Sequence, residues 1–559
     1  MVASKNKKSS TGRQSVKRWL KKPYIKFALL PLLIYFLLFC FFTWPWITHF
    51  NGWFYTDGGD GLQNVWNVWW VNKSVTELGQ LPWHTSFLHY PFGVTLVGQT
   101  LNPVNGFFAI PMLGFLSLNQ AFNIMVIFSF LFGGLSALWL CYYFTKSYIP
   151  SVIGGAIFTF SSYHFAHAIG HMQLVSLEFV PLFILFWWML LKRPTYRLAI
   201  IASISLLLVL WSDYYYFLYS LIFAGFSVIY LAWRRELPSY KDSKNWRPWL
   251  LFIGLTGLIV LPLPIALLLQ NSRDEFTGSH PARIFSTDLA TPVINGGFWK
   301  FHWLTDWYWV HIKGFVAETS VYLGISVIAV LAIAMQMKEK IHKHIVFMLA
   351  VGIFFGVMSF GPRLMVGGYS LERVPMPYVL MERVVPGMKL SGVPVRMMFM
   401  VTLMSAVIVA MVLSKLDLKK RKGLLLITLF CVVVSVEMWP RRLPLTPITQ
   451  PRYVLALQNL PAGAVLDNAA KDEAQQLYHQ TGYEKPMAFG YISRTPKSLM
   501  TKEYRLWAYG EEGKYDKMCS EFKLRYLTTP AFRPLKTSFP VVYQDAEALI
   551  YDIKNSPSC

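Results

Sequence analysis

Long apolar runs alternate with short polar links from residue 27 to about residue 439, and the remainder loses that alternation. Crossing a hydrocarbon core about 30 Å thick takes about twenty mostly apolar residues in a helix. The runs at 27–47, 120–145, 150–166, 174–191, 198–212, 214–233, 249–269, 319–337, 345–361, 395–414 and 423–438 predict about eleven crossings. The apolar stretch 102–117 is read as re-entrant or interfacial, because only a few residues separate it from the next run. After Pro440 the spacing of Pro444, Pro447 and Pro451 marks a linker. Beyond it, β-like runs at 464–466 and 541–543 mix with a helical one at 472–480, which predicts a small α/β domain.

Charge orients this pattern. The chain carries 52 Lys and Arg against 29 Asp and Glu, a net +23, yet only 14% of its 559 residues are charged. In a soluble protein such an excess would suggest nucleic acid. Here no base-stacking or base-reading module accompanies it, and the cations collect in the links, so nucleic acid is excluded as a partner. The first 26 residues hold Lys5, Lys7, Lys8, Arg13, Lys17, Arg18, Lys21, Lys22 and Lys26 and no acid. The apolar run that follows is too long for a signal-peptide core and reads as an uncleaved first span.

With eleven spans, one set of links contains Lys146; Lys192, Arg193 and Arg197; Arg234, Arg235, Lys241, Lys244 and Arg247; Lys338, Lys340 and Lys343; and Lys415, Lys419, Lys420, Arg421 and Lys422. Basic links stay on the cytoplasmic side. The N-terminus is then cytoplasmic, and the outer side carries the loops 48–119, 270–318 and 362–394 together with the domain 440–559. Chemistry is expected in these long outer loops rather than in the short basic links. Cys40, Cys141 and Cys431 fall in apolar runs as packing residues, whereas Cys519 and Cys559 are an outer pair able to form a disulfide in an oxidising compartment.

The first outer loop opens Phe-Tyr-Thr-Asp57-Gly-Gly-Asp60-Gly and continues Leu-Gln-Asn-Val-Trp-Asn-Val-Trp-Trp. Glycines allow a tight turn, so a carboxylate can point back over the end of the bundle. An aromatic amphipathic helix follows, whose Trp residues suit a membrane interface. The plainer reading is that Asp57 and Asp60 cap that helix.

An acidic turn directly after the first span, followed by an interfacial helix in a long outer loop, resembles the GT-C fold of membrane glycosyltransferases. The stretches FSSYHFAHAIGHMQLVSLEFVPL, FGPRLMVGG, VPMPYVLMERVVPGMKLSGVPVRMMFM and YHQTGYEKPMAFGYISRTP are similar to a broad set of bacterial and archaeal GT-C-like proteins of mostly unassigned substrate. The resemblance implies a mainly α, polytopic transmembrane bundle in a bacterial inner membrane. It implies a polyprenyl-phosphate-linked sugar donor and a glycan, lipid or protein acceptor on the outer face. Asp57 and Asp60 stand at the place of the family's catalytic carboxylate.

Such a transfer needs a base for the acceptor's proton and positive charge for the departing phosphate. Arg363, Arg373, Arg383 and Arg396 in and after the third outer loop are candidates for the charge, although arginines there also snorkel to lipid headgroups. His164, His167 and His171 share one face if their helix persists. They then suit either a divalent metal, the donor phosphate or a plain interface role, and Gly170 argues for a helix break. The motifs demand no other cofactor. Glu178 lies within an apolar run, where an acid is a functional candidate by default, with one of the histidines or a structural ion pair as its partner. Asp213 in LWSDYYYFLY is a candidate second site acid, and Gln480 and Arg494 are candidates for the acceptor side or for folding alone. Two other readings stay open: a lipid or polysaccharide transporter, and a non-catalytic envelope assembly protein.

Overall fold

The computed structural model describes residues 22–554 apart from 240, 279, 338–341 and 386. The basic tail up to Lys21, Lys338 and Lys340 of one basic link, and Cys559 lie outside the described residues. The fold is mainly helical. Among the described residues, five helices are long and apolar enough to cross a membrane: Ile25–Phe42, Leu118–Thr145, Met172–Lys192, Tyr214–Trp233 and Pro394–Leu413. Ser243–Val260 and Pro262–Arg273 make a sixth if the 47° bend between them interrupts one span. The bend follows a π-helical turn at Thr256–Val260 and falls at Pro262, two recognised causes of a kink.

Other apolar runs form shorter helices, among them Tyr148–Thr159, Tyr196–Ser212, Ile325–Gln336 and Arg421–Glu437, of 12 to 17 residues. At 1.5 Å per residue these rise about 18–26 Å, less than the full hydrocarbon thickness, so five or six candidate spans stand where about eleven were expected. The stretch 102–117 forms the 11-residue helix Pro103–Leu113, which rises about 16 Å, roughly half that thickness.

The bundle closes where side chains are small. A Cβ on Gly155 would collide with the Gly134 carbonyl and with the Tyr35 hydroxyl, so only glycine lets the Leu118–Thr145 and Tyr148–Thr159 helices meet there. Lipid gives no hydrophobic push between helices, and close backbone approach replaces it. Tyr35 enters this crossing from the first span, and its hydroxyl donates to the Val152 carbonyl at 3.0 Å. The Met172–Lys192 and Pro394–Leu413 helices are buried along most of their lengths. The first span turns Leu29, Leu33, Leu37 and Phe41, spaced by four, outward as one exposed stripe.

At one end of the bundle Glu236 bridges two basic links, pairing with Lys192 and with Lys343 (2.9 Å). At the other end the long loops and the C-terminal segment are stitched together. Trp53–Phe54 pairs antiparallel with Thr446–Pro447, and Phe276–Thr277 pairs antiparallel with Thr495–Pro496. The C-terminal segment forms a four-stranded sheet in the order Val541–Gln544, Ala548–Asp552, Leu524–Pro530, Ala464–Asp467; the last pair is parallel and the others antiparallel. Helices Arg452–Asn459, Glu473–Tyr483, Lys497–Glu511 and Tyr515–Phe522 share buried clusters with it.

The helix Asp60–Asn72 departs from expectation. Rather than lying at a membrane interface, it is enclosed: Trp66 and Trp70 are wholly buried. They share a core with Tyr453, Val465, Leu477 and Tyr483 of the C-terminal segment. Trp66 Nε1 donates to Gln480 Oε1 at 2.7 Å, and Gln480 Nε2 donates to the Phe87 and Lys485 carbonyls. Gln480 therefore anchors the fold. The aromatic face that suited an interface finds a protein partner from 400 residues away, a contact that helical periodicity does not encode.

Candidate functional site

The acidic turn of the first long loop is docked on the turn that ends the Ser162–His167 helix. The Asp57 N–H and the Thr56 hydroxyl both donate to the Ile169 carbonyl, at 2.6 and 3.0 Å, and Asn64 Nδ2 donates to the Gly170 carbonyl at 2.9 Å. Asp57 Oδ1 accepts from the Gly59 and Gly61 N–H groups, at 3.1 and 2.9 Å, so its carboxylate satisfies a first-turn N–H of the following helix, whose N-cap is Gly59. Burial raises the Asp57 pKa and the neighbouring Asp60 charge adds to this, against the two N–H donors. Gly170 sits flush against this carboxylate: a Cβ there would lie 2.9 Å from both oxygens. Gly170→Ala is expected to push Asp57 aside and, for any reaction carried out at this turn, to lower the rate about tenfold to a hundredfold, the scale of a 1 Å misplacement. Initial rates on purified protein, alongside its melting temperature, check this; an unchanged rate would show that the docking is not needed.

Asp60 faces the other way and begins a line of ionisable groups. Its Oδ2 lies 3.2 Å from His171 Nε2, and its Oδ1 accepts from the Tyr491 hydroxyl at 2.6 Å. His171 Nδ1 meets His167 Nδ1 at 2.9 Å. His167 Nε2 stands 3.8 Å from Glu318 Oε2. Glu318 in turn holds Arg396 through Nε, at 3.1 Å to each oxygen, and through Nη2. The Arg396 guanidinium stacks 4.6 Å from the centre of the Tyr215 ring. The line runs from a half-exposed carboxylate (the Asp60 side chain is 41% exposed) to a buried ion pair.

The charges reinforce one another. Burial alone would raise the Asp60 pKa, but the hydrogen bond and charge of His171, with the Tyr491 hydroxyl and the Arg396 charge, hold it below the usual value. Burial would lower His171, yet the Asp60 bond and the Glu318 charge raise it. Burial alone would raise Glu318, but the charge and hydrogen bonds of Arg396 hold it well below the carboxylate range.

His167, His171 and Glu318 can each present one ligand atom within 4.8 Å of the others. His167 Nε2 is buried without a hydrogen-bond partner among the described residues, because 3.8 Å to Glu318 is too long for a hydrogen bond. If His167 Nδ1–H donates to His171 Nδ1, then His171 Nε2–H serves Asp60, and His167 Nε2 presents a lone pair toward a carboxylate. His167 Nε2 and the Glu318 carboxylate then face each other with no proton between them, and a divalent transition metal on all three residues would displace the proton shared by the two imidazoles.

Other candidates lie elsewhere. His164 is turned from the cluster: its ring nitrogens meet the Thr159 and Val175 carbonyls at 2.7 and 3.0 Å, and it stacks on Phe130. The helix ends at His167, so the three histidines do not share a face as the spacing predicted. Glu178 is paired with no histidine among the described residues. Its Oε2 accepts from the Ser129 hydroxyl at 2.8 Å, deep in the bundle. Asp213 caps the Tyr214–Trp233 helix, accepting from the Tyr215 N–H at 2.7 Å. Arg363 pairs with Glu372 across the hairpin of Arg363–Val366 and Tyr369–Pro375, while Arg373 and Arg383 are exposed. Arg494 donates to the Gly278, Ser493 and Leu390 carbonyls and ties loops together. Glu318 and Tyr491 were not singled out from the sequence. An acid at the head of an apolar run was the available signal for Glu318; Tyr491 offered none beyond its quoted stretch.

A family model described as a domain of unknown function, DUF6311, matches residues 28–436. Comparison with curated proteins finds no match. Among solved structures the chain is similar to the Archaeoglobus fulgidus oligosaccharyltransferase tethered with an acceptor peptide containing the NVT sequon, at 12% identity and a TM-score of 0.46, over 92% of this chain and 70% of that one. It is similar to AglB of the same organism in complex with an inhibitory peptide and a dolichol-phosphate, at 13% identity and a TM-score of 0.45, with the same 92% and 70% coverage. It is also similar to ArnT from Cupriavidus metallidurans bound to undecaprenyl phosphate, at 10% identity and a TM-score of 0.42, over 98% of this chain and 99% of that one. All these TM-scores are below 0.5, so the likeness is loose and function has to be read from the side chains.

Proposed function

We propose that this chain, which belongs to the DUF6311 family, is a membrane glycosyltransferase that moves a sugar from a polyprenyl-phosphate donor to a glycan, lipid or protein acceptor on the outer face. The carrying observation is the line of ionisable groups Asp60, His171, His167, Glu318, Arg396, with its accessible carboxylate at one end. Asp60, kept ionised by His171 and Tyr491, takes the proton from the acceptor group as that atom bonds to the anomeric carbon. The bond from that carbon to the phosphate oxygen breaks, and the polyprenyl phosphate leaves with the electron pair. A phosphate leaves well, so no strong general acid is needed, only a base and positive charge. When bound, a divalent metal on His167, His171 and Glu318 would supply positive charge for the phosphate. His171 holds Asp60 in place, Glu318 holds Arg396 at the buried end, and Asp57 and Gly170 fix the turn that presents Asp60.

In this reading about eleven helical segments cross or enter an inner (plasma) membrane. The N-terminus is cytoplasmic, residues 27–439 form the membrane unit and 440–559 an outer domain. The Glu236 bridge between two basic links supports their lying on one side.

Full-length protein in proteoliposomes, given a polyprenyl phosphate carrying a labelled sugar and an envelope extract as acceptor, is expected to move the label off the lipid. Dialysis against a chelator is expected to slow this at least about tenfold, with recovery on adding a divalent metal. Label that crosses the bilayer while still on its carrier would instead identify a transporter.

A further inference from the structure

The end of the first span, the linker after Trp439 and the loop around Lys300 enclose a groove of about 640 Å³. One wall is apolar: Phe41 and Trp44, 51% and 64% exposed, with Trp439 beside them. The other wall carries Lys300, Arg441 and Arg442, all exposed, and no acidic side chain lines the groove. Lys300 Nζ sits 4.1 Å from the centre of the Trp439 ring, and the Lys300 N–H donates to the Trp439 carbonyl at 2.8 Å, so loop and linker are held together. None of the three cations is in an ion pair among the described residues.

We propose that this groove binds the phosphate headgroup of an anionic glycerophospholipid, with the acyl chains running along Phe41 and the exposed stripe of the first span. The charge pattern selects the occupant. Three uncompensated cations call for an anion, and aromatic side chains at the end of a span mark headgroup depth. A soluble anion would gain nothing from the apolar wall that continues into the lipid-facing stripe. Cations near a headgroup layer each strengthen binding of acidic lipid about fivefold. The groove shares no residue with the line from Asp60 to Arg396, so the site is independent of the proposed transfer reaction.

The test is native mass spectrometry of the full-length protein, delipidated and then titrated with phosphatidylglycerol, phosphatidylcholine or a polyprenyl phosphate. The expected result is one phosphatidylglycerol retained at least about tenfold over phosphatidylcholine, and a loss of about tenfold or more in the Arg441→Gln, Arg442→Gln double variant with an unchanged melting temperature. Lys300→Gln alone, expected to lose about fivefold, replaces the double variant if that one does not fold. Equal retention of the two glycerophospholipids would overturn the proposal. So would full retention by the variants, preference for the polyprenyl phosphate, or displacement of the lipid by millimolar inorganic phosphate.

Discussion

Asp60→Asn is expected to lower sugar transfer about a thousandfold while leaving the protein folded. A positioned general base contributes about 10²–10⁴ in rate, and asparagine keeps the shape of the side chain but cannot take a proton. The amide oxygen can still accept from the Tyr491 hydroxyl, which lies 2.6 Å from Asp60 Oδ1, so the contact between the first loop and the C-terminal segment survives. Asp57→Asn is expected to cost much less, about tenfold. Its side-chain oxygen still accepts from the Gly59 and Gly61 N–H groups, and the docking through the Asp57 N–H involves the main chain alone. The loss expected there is one of alignment, not of the base. Initial rates with labelled donor separate the two. A wild-type rate in Asp60→Asn would sink the assignment of the base, and a greater loss in Asp57→Asn would exchange the two roles.

Arg396→Met is expected to destabilise the protein by about 3–5 kcal/mol, the range for removing one partner of a buried ion pair. Glu318 is 3% exposed, and without Arg396 it faces His167 at 3.8 Å, too far for a hydrogen bond. The cost is that of a stranded carboxylate, not of a lost contact. Adding Glu318→Gln is therefore expected to restore more than half of the stability, since a neutral amide takes the place of the stranded charge. Transfer is expected to stay low in the double variant because the candidate cation site loses its carboxylate. Denaturation of detergent-solubilised protein, read next to turnover, gives both quantities. Additive losses in the two single variants and the double variant would show that the pair is not coupled.

The residues that local sequence could find are those whose neighbours along the chain explain them. Asp57 and Asp60 stand out because two acids and three glycines directly follow an apolar run. His167 and His171, four apart, stand out for the same kind of reason, and they do meet, though at a helix end and not along a helix face. His164 shares their spacing but not their surroundings. Burial among carbonyls and Phe130 claims it for packing, because a helix break after His167 turns the next residues by an amount that no periodicity carries. Glu178 was legible as an intramembrane acid, but which neighbour would receive it depended on the approach of the Leu118–Thr145 helix, which supplies Ser129.

The apolar periodicity and the distribution of cations by themselves predicted a membrane bundle with its long loops on one side, since both follow from composition within about twenty residues, whereas the acidic turn was singled out by its glycines and by the family resemblance. Only the tertiary structure decided that Glu318, Arg396 and Tyr491 converge on that turn, and that the Trp66 and Trp70 face is covered by the C-terminal segment instead of lipid. The physical reason is the same in both cases. A buried charge or an apolar face requires a partner, but which distant segment provides it is set by how the helices and loops close on one another.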